Sequence, residues 1–176
     1  LNERSAFYYA APIREYILAG KSGNQAAKLQ LLGKLMAIRF TQQISASQQT
    51  MPEAIIPVPL HKARLRQRGF NQSIELIHPF ARQHNIPLLR QAVYRNRNTS
   101  EQKGLTERMR KTNIANAFSI RNTLNDKTLN YKHVAIFDDV ITTGATCAAL
   151  QALLVQHGIK KVEIWCCATT NNDPTA

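Results

Sequence analysis

Residues 134–146 read VAIFDDVITTGAT, and this stretch decides the fold. Its first five residues form an apolar, partly β-branched run that is typical of a buried strand. Residues 145–157 then carry leucines at helical spacing, with Gly158 as the C-cap, and residues 162–168 form a second apolar run. Strand, helix and strand in this order make one βαβ unit. We therefore predict an α/β fold with an open, mainly parallel sheet flanked by helices.

The turn inside this stretch carries the candidate chemistry. Asp138 and Asp139 end the predicted strand at the carboxyl edge, where open parallel sheets bind their ligands. Ionised carboxylates only accept hydrogen bonds, which suits the vicinal hydroxyls of a ribose. Free backbone N–H groups at the start of a helix suit a phosphate monoester, and Gly144 lets the backbone approach it closely. The predicted phosphate-binding residues are Thr142, Thr143, Gly144, Ala145 and Thr146.

Two other interpretations of this stretch compete with a sugar-phosphate site. A strand that ends in two aspartates is also typical of the Walker B strand of NTPases, and residues 20–22 resemble the end of a Walker A loop. The P-loop pattern requires a glycine five residues before Gly20, where this chain has Glu15, so we exclude an NTPase. A helix cap alone would not need two adjacent acids followed by TTGAT, so we favour the ligand site.

The composition limits the possible classes of protein. Of 176 residues, 44% are apolar and 19% are charged, which excludes a disordered chain. The formal net charge of +12 predicts an anionic partner, either a nucleic acid or a phosphorylated small molecule. No apolar run is long enough for a transmembrane helix, and charges interrupt the first residues, so we expect a cytoplasmic protein without a membrane span. The three cysteines are too few and too poorly spaced for disulfides or a zinc ribbon, so no protein metal site is predicted.

The remaining elements are predicted from periodicity and from prolines. Helices are expected over residues 6–20, 24–45 and 71–83, and strands over 54–59, 92–95 and 117–120, the last of which re-enters the sheet. Pro79 should kink or shorten the third helix. Residues 1–50 form a helical N-terminal segment packed on the core, residues 51–172 form the main domain, and residues 173–176 form a tail.

Two segments concentrate positive charge. Residues 61–69 read HKARLRQRG, and Arg64, Arg66 and Arg68 would share a face if this run were extended. Residues 95–113 lack apolar periodicity and hold six basic against two acidic residues, a net charge of +4. Long polar connections of this kind are usually functional or disordered. Both segments are compatible with phosphate binding and with a merely solvated surface.

The motifs are similar to those of a known family. FDDVITTGAT resembles the motif by which type I phosphoribosyltransferases bind 5-phosphoribosyl 1-diphosphate (PRPP). PVPLHKARLRQRGFNQS at residues 57–73 resembles the ComF, or GntX-like, branch, which is linked to competence for natural transformation. A spaced series in the second basic segment, Arg95, Arg97, Thr99, Gln102, Gly104, Leu105, Arg110 and Asn113, supports the same branch. The resemblance implies a type I phosphoribosyltransferase-like fold for residues 51–172.

The resemblance also implies roles for individual residues. Asp138 and Asp139 would hold the ribose hydroxyls, while residues 142–146 would hold the 5′-phosphate. Residues 95–113 would form a flexible hood that closes over PRPP. The loop that approaches the pyrophosphate, with Mg²⁺ as cofactor, is Val58, Pro59 and Leu60. The expected catalytic residues are Asp138, Asp139, Arg97 and Arg110, and Arg68 of the RGFNQ motif is assigned to substrate binding.

Other residues of the family motifs have simpler interpretations. Phe70 is expected to anchor the following helix in the core, and Asn71 could be that helix's N-cap and nothing more. The chain departs from the family pattern at Pro79, and it lacks the cysteine-rich zinc ribbon that many members carry.

Two functions from different classes remain open. The first is Mg²⁺-dependent transfer of a phosphoribosyl group from PRPP to an unknown acceptor. The second is a non-catalytic single-stranded DNA binding competence factor, with other competence proteins as possible partners, in which the PRPP site is a sensor or a vestige. The expected nucleic-acid contacts are Arg64, Arg66, Lys103 and Lys111. The low aromatic content of 7% argues against strong binding of single strands by base stacking.

Overall fold

A single parallel sheet organises the part of the chain that the computed structural model describes, residues 3–20, 26–96, 117–121 and 130–170. Its strands are β1 (Glu3–Tyr8), β2 (Ala54–Pro57), β5 (His133–Ile141) and β6 (Lys161–Thr169), in the spatial order β1-β6-β5-β2. All neighbouring strands run parallel. The predicted α/β class, with a parallel sheet flanked by helices, is confirmed.

Five helices and a small ribbon surround this sheet within the described residues. The helices are α1 (Ile13–Gly20), α2 (Ala26–Ser47), α3 (Lys62–Arg68), α4 (Gln72–Gln83) and α5 (Ala145–Gln156). Strands β3 (Val93–Arg95) and β4 (Phe118–Ile120) pair with each other as an antiparallel ribbon.

The alternation of side chains along the strands divides the core into two layers. Ala135 and Phe137 pack with α1, α2 and α4 on one face of the sheet. Val134 and Ile136 pack with α5 and the β3–β4 ribbon on the other face. Because the central strands are covered on both faces, they are apolar at nearly every position, as expected for a parallel sheet.

An aromatic cluster forms the centre of the first layer. The ring centroid of Phe40 on α2 lies 5.8 Å from that of Phe80 on α4 and 5.2 Å from that of Trp165 on β6. Phe137 on β5 completes the cluster, 6.5 Å from Phe40. These tilted and edge-to-face contacts fix both helices against the strands that carry the candidate site.

The predicted helix over residues 6–20 is wrong at its beginning. Residues up to Tyr8 belong to β1, which pairs with β6, and α1 begins only at Ile13. Pairing with the apolar β6 overrides the helical spacing of this segment, because strand formation depends on tertiary partners more than on local propensity. The helix predicted from residue 24 is confirmed as α2, although Asn24 lies outside the described residues.

Two further expectations need correction. Residues 118–120 do not re-enter the main sheet, because they pair with β3 in the separate ribbon. Pro79 does not shorten α4, which runs on to Gln83. A side chain at Gly33 would come within 2.7 Å of the Leu76 carbonyl and 3.2 Å of Pro79 Cγ, so α2 and α4 are in close contact at this point. This packing supports the helix where proline removes a backbone hydrogen bond.

The division at residue 50 remains a prediction, although β1 and α2 contribute to the same sheet and core as the later residues. The tail at 173–176 lies outside the described residues. Within the described ranges, no helix has both the length and the hydropathy that a membrane crossing requires.

Candidate functional site

The two candidate carboxylates lie near the carboxyl end of β5. The strand continues to Ile141, so Asp138 and Asp139 lie within it, whereas the sequence predicted that they end it. Asp138 Oδ1 accepts hydrogen bonds from the backbone N–H of Asp139 at 2.9 Å and from Ser73 Oγ at 3.3 Å. Asp139 Oδ1 accepts from the N–H of Val140 at 2.9 Å. Both carboxylates are thus held in fixed orientations at the sheet edge.

The environment of Asp138 favours its protonated form. Burial, and after it the negative charge of Asp139, raises the pKa of Asp138 well above its usual range. The hydrogen bonds from the Asp139 N–H and from Ser73 oppose this rise only in part. A ligand that donates hydrogen bonds or brings positive charge would stabilise the ionised carboxylate, so the pair is suited to a hydroxyl-rich or cation-bearing ligand.

The turn after β5 presents an open helix start. Gly144, the N-cap of α5, has φ +70°, in the left-handed region, and has no side chain with which to cap the helix. The N–H of Ala145, the first residue of the helix, makes a long contact of 3.5 Å to Thr143 Oγ1. A Cβ at this position would meet only Ile141 Cγ2, at 3.8 Å, so the backbone conformation and not crowding calls for glycine. Thr142 and Thr143 are exposed, and Ala145 and Thr146 begin the helix half-buried. The N–H groups and the helix dipole here can bind an anion, in agreement with the predicted phosphate position.

The predicted pyrophosphate loop lies at the same edge of the sheet. The N–H of Val58 donates to the Phe137 carbonyl at 2.8 Å, which places the loop beside the last residues of β5. Asn71 Nδ2 donates to the Val58 carbonyl at 2.9 Å, within the buried interior. Val58 and Pro59 are buried and Leu60 is half-buried. The structure therefore brings the predicted loop and the two carboxylates together.

Sequence reasoning missed how the RGFNQS motif holds this site. Asn71 is the N-cap of α4, as expected, because its Oδ1 accepts from the Ser73 N–H at 3.0 Å. Its second bond, to the Val58 carbonyl, and the Ser73 bond to Asp138 connect α4 to both halves of the site. Phe70 packs against the first core layer, as predicted. The available signal in the sequence was the polar run NQS at the start of a predicted helix. In the structure all three of these residues are buried.

The alternating arginines are arranged differently from an extended run. Residues 62–68 form α3, with His61 as N-cap and Gly69 in the left-handed region as C-cap. Arg64 and Arg68 are four residues apart and share one side of this helix, whereas Arg66 lies about 200° around its axis. Arg64 and Arg68 are half-buried and Arg66 is exposed. Because residues 62–68 are helical and not extended, the condition under which all three arginines would share a face is not met.

Arg68 on α3 and Arg95 on β3 have identifiable neighbours. Arg68 Nη1 donates to Gln72 Oε1 at 2.9 Å, so the motif's arginine is oriented toward α4. Arg95 lies over the Phe118 ring, with Cζ 5.5 Å from the centroid. Burial first, and then the charge of Arg64, lowers the pKa of Arg95, while the charge of Asp138 raises it. Arg95 therefore belongs to the electrostatic surroundings of Asp138, a role that the sequence did not assign to it.

The remaining predicted site residues cannot be compared with the structure. Arg97, Lys103, Arg110 and Lys111, with most of the predicted hood, lie outside the described residues.

The donor set is compatible with Mg²⁺ that arrives with a diphosphate. Among the described residues, no group of three or more histidine, cysteine, aspartate or glutamate side chains could hold a metal by itself. Mg²⁺ is commonly bound by one or two carboxylates together with substrate phosphates, and Asp138 and Asp139 supply oxygen donors of this kind. The residues present therefore fit a substrate-borne ion.

Comparison with solved structures finds phosphoribosyltransferases. An alanine mutant described under "analysis of an invariant aspartic acid in HPRTs" matches with a TM-score of 0.46 and 12% identity, over 83% of this chain and 70% of that one. A purine phosphoribosyltransferase from Pyrococcus horikoshii matches with a TM-score of 0.37 and 17% identity, over 96% and 79% of the two chains.

Comparison with curated proteins finds closer relatives, whereas no family model matches this chain. Competence protein F of Haemophilus influenzae is 35% identical over 158 residues, which cover 90% of this chain and 68% of the relative. The DNA utilization protein YhgH of Escherichia coli is 33% identical over 162 residues, which cover 92% and 69%. The resemblance to the ComF branch is thereby confirmed, and the chain belongs to the ComF family, together with Competence protein F and YhgH.

Proposed function

We propose that this chain binds PRPP at the carboxyl edge of its sheet and catalyses Mg²⁺-dependent transfer of the phosphoribosyl group to an acceptor. The observation that carries the proposal is the juxtaposition of three features at this edge. They are the carboxylates of Asp138 and Asp139, the open N-terminus of α5, and the loop anchored at Val58. These three features suit, in turn, the ribose hydroxyls, the 5′-phosphate and the diphosphate of PRPP.

Each feature has a part in the transfer. Asp138 and Asp139 accept hydrogen bonds from the ribose hydroxyls, and the N–H groups at the start of α5 hold the 5′-phosphate. The C1–O bond to pyrophosphate breaks as a bond from the acceptor to C1 forms. Pyrophosphate leaves with the electron pair, and the acceptor loses a proton. The carboxylates stabilise positive charge that develops at C1, and Mg²⁺, when bound, neutralises charge on the leaving group.

Titration calorimetry of PRPP into the full chain, with and without Mg²⁺, tests this proposal. We expect binding that requires Mg²⁺ and exceeds the binding of ribose 5-phosphate. Asp139→Asn should weaken it by about tenfold or more, because a charge-assisted hydrogen bond is worth about 1.5–3 kcal/mol. Glu15→Gln, which removes an exposed carboxylate on α1, is the matched control and should leave binding unchanged. An affinity for PRPP that neither Asp138→Asn nor Asp139→Asn changes would exclude this site.

We also propose a role in DNA uptake or utilisation, supported by the names of the two relatives and by the net charge of +12. The alternative function, a competence factor that binds single-stranded DNA without turnover, draws on the same charge and on the exposed Arg66. Competence proteins are then possible partners. We place this role in the cytoplasm, since all three cysteines are free and buried, as expected in a reducing compartment.

Single-stranded oligonucleotide binding at several salt concentrations separates the two functions. DNA binding predicts an affinity that falls with salt, and Arg66→Gln should reduce the slope of log K against log salt by about 0.7. Asp139→Asn should preserve this DNA binding while it weakens PRPP binding by about tenfold or more. DNA binding without any PRPP binding would favour the non-catalytic function, and PRPP turnover without DNA binding would favour the transferase alone.

A further inference from the structure

A pocket that no motif predicted opens beside the sugar-phosphate site. Its volume is about 380 Å³, and it lies between α3, the first turns of α4 and the β3–β4 ribbon. Pro59 and Leu60 of the pyrophosphate loop line one side. Arg95 also lines it, and this is the residue whose pKa responds to the charge of Asp138. The pocket therefore shares the pyrophosphate loop with the candidate sugar-phosphate site.

The charges that line the pocket are mostly positive. They come from Lys62, Arg90, Arg95 and Arg121, against the single carboxylate of Glu75. Arg121 Nη1 donates to Gln91 Oε1 at 2.8 Å, so this guanidinium is oriented by a second pocket residue. A partly enclosed space with this excess of cations attracts an anion.

The rest of the lining offers flat apolar surface. Tyr94 is 45% exposed and Leu65 is 42% exposed, so both present unused apolar area to the pocket. Phe70 contributes a half-buried ring. Tyr94 stands on the outward side of β3, between buried Val93 and half-buried Arg95, where the ribbon holds its backbone rigid. Such a ring is a stacking surface for another planar group.

We propose that this pocket binds the acceptor, and that the acceptor is a planar ring compound that carries a carboxylate or a phosphate. The acceptor role rests on the proposed function, whereas binding of such an anion depends only on the pocket. In the transfer, a nucleophilic atom of the ring compound forms the bond to C1 and releases its proton as pyrophosphate departs. The cations select an acidic acceptor over a neutral base of the same shape.

Matched pairs of probes that differ in their acidic group test this inference by calorimetry. Nicotinate is compared with nicotinamide, and 2′-deoxyadenosine 5′-monophosphate with 2′-deoxyadenosine. We expect at least one acidic member to bind about tenfold or more tightly than its neutral partner, a difference of about 1.4 kcal/mol. Preference for nicotinate over nicotinamide would show that the pocket selects a carboxylate. Preference for the monophosphate over the nucleoside would show that it selects a phosphate.

Variants of the pocket locate the binding. Tyr94→Ala and Arg121→Gln should each weaken the preferred anion about fivefold or more, while Tyr94→Phe should retain it because the ring remains. Arg82→Gln removes an exposed arginine of α4 that is not among the pocket residues, and it should have no effect. Melting temperatures of all variants should match that of the parent, since the substituted side chains are exposed.

Failure of the pocket inference and failure of the proposed transferase function give different experimental results. If no acidic probe binds at millimolar concentration, if neutral and acidic members bind alike, or if Arg82→Gln weakens binding as much as Arg121→Gln, the inference is overturned. Asp139→Asn should leave probe binding intact. Probe binding without PRPP binding would then refute the transferase proposal while supporting an anion pocket, and PRPP binding without probe binding would refute the pocket alone.

Discussion

The buried carboxylate of Asp138 is expected to lower the folding stability of the chain at neutral pH. Its raised pKa means that the folded chain holds a proton at pH values where the unfolded chain has released it. Folding stability therefore decreases as the pH rises from the ordinary carboxyl range through the raised pKa. Asp138→Asn removes this decrease, because the amide is never charged. Thermal melts across pH 4–8 should show a higher melting temperature for the variant at neutral pH, with the difference shrinking toward pH 4.

The comparison for this prediction is Asp139→Asn. Removal of that negative charge should lower the pKa of Asp138, since Asp139 is the second cause of its rise. A melting temperature of Asp138→Asn that equals or falls below that of the parent at neutral pH would contradict the raised pKa of Asp138.

Gly144 is the second residue whose effect can be isolated. Gly144→Ala places a β-carbon in the left-handed region at φ +70°, which costs about 1–2 kcal/mol of folding free energy. It should also weaken PRPP binding, because the turn must shift away from the position that presents its N–H groups. Gly158→Ala, at φ +93° beyond the other end of α5, is the matched control. Chemical unfolding should give similar losses of folding free energy for both variants, and only Gly144→Ala should lose affinity for PRPP. If Gly144→Ala binds PRPP as tightly as Gly158→Ala does, this turn does not hold the phosphate.

At the scale of elements, the start of α4 connects the two halves of the site. Asn71 caps α4 and holds the Val58 carbonyl, while Ser73 reaches Asp138. A rigid helix thus sets the distance between the pyrophosphate loop and the ribose carboxylates. Preorganisation of this kind lowers the entropic cost of closing a site around its ligand.

Substitutions at Asn71 separate its two hydrogen bonds. Asn71→Ala removes both and should destabilise the chain by about 2 kcal/mol, the sum of a lost cap and an unsatisfied buried carbonyl. Asn71→Ser restores the cap but cannot reach Val58, so it should recover about 1 kcal/mol of stability without restoring PRPP affinity. Urea unfolding and calorimetry measure the two quantities. Recovery of affinity in Asn71→Ser would show that the Val58 bond has no part in positioning the loop.

At the scale of the whole molecule, a buried ionic cluster stabilises the amino edge of the sheet, opposite the site. Glu163 on β6 accepts from Lys161 Nζ at 2.7 Å and from Trp165 Nε1 at 2.8 Å, and its Oε1 lies 2.9 Å from His133 Nε2 on β5. Burial alone would raise the pKa of Glu163, but these partners outweigh it and hold the pKa below its usual range. Glu163 thus stabilises the fold while it is ionised.

Glu163→Gln should cost about 1–3 kcal/mol of unfolding free energy at neutral pH, because hydrogen bonds to a charged group are lost in a buried setting. A depressed pKa contributes stability that is present above the unfolded pKa and is lost as the pH falls through the folded pKa. The difference in unfolding free energy between the parent and Glu163→Gln should therefore narrow at pH values below the ordinary pKa range of carboxyl groups. Trp165, the single tryptophan, reports unfolding by fluorescence. If the difference in unfolding free energy between the parent and Glu163→Gln does not change with pH, the ionised Glu163 carboxylate does not stabilise the fold.

The sequence alone was enough to predict the central βαβ unit and the candidate site residues on it. Residues 134–158 combine strong local signals, an apolar strand, two acids, a glycine turn and a leucine-spaced helix, and each acts over a few residues. Here these local signals agree with one another, which is why Asp138, Asp139 and the turn through Thr146 were predicted together. The RGFNQ motif likewise indicated the family without any structure.

Which distant residues surround the candidate carboxylates could be seen only from the folded chain. Ser73 and Asp138 are 65 residues apart in sequence, and no periodicity links them. The same holds for the pairing of β1 with β6, for the separation of the β3–β4 ribbon from the main sheet, and for the position of Arg95 near Asp138. These features depend on contacts between segments whose local sequences permit more than one conformation, so packing of the whole chain selects among them.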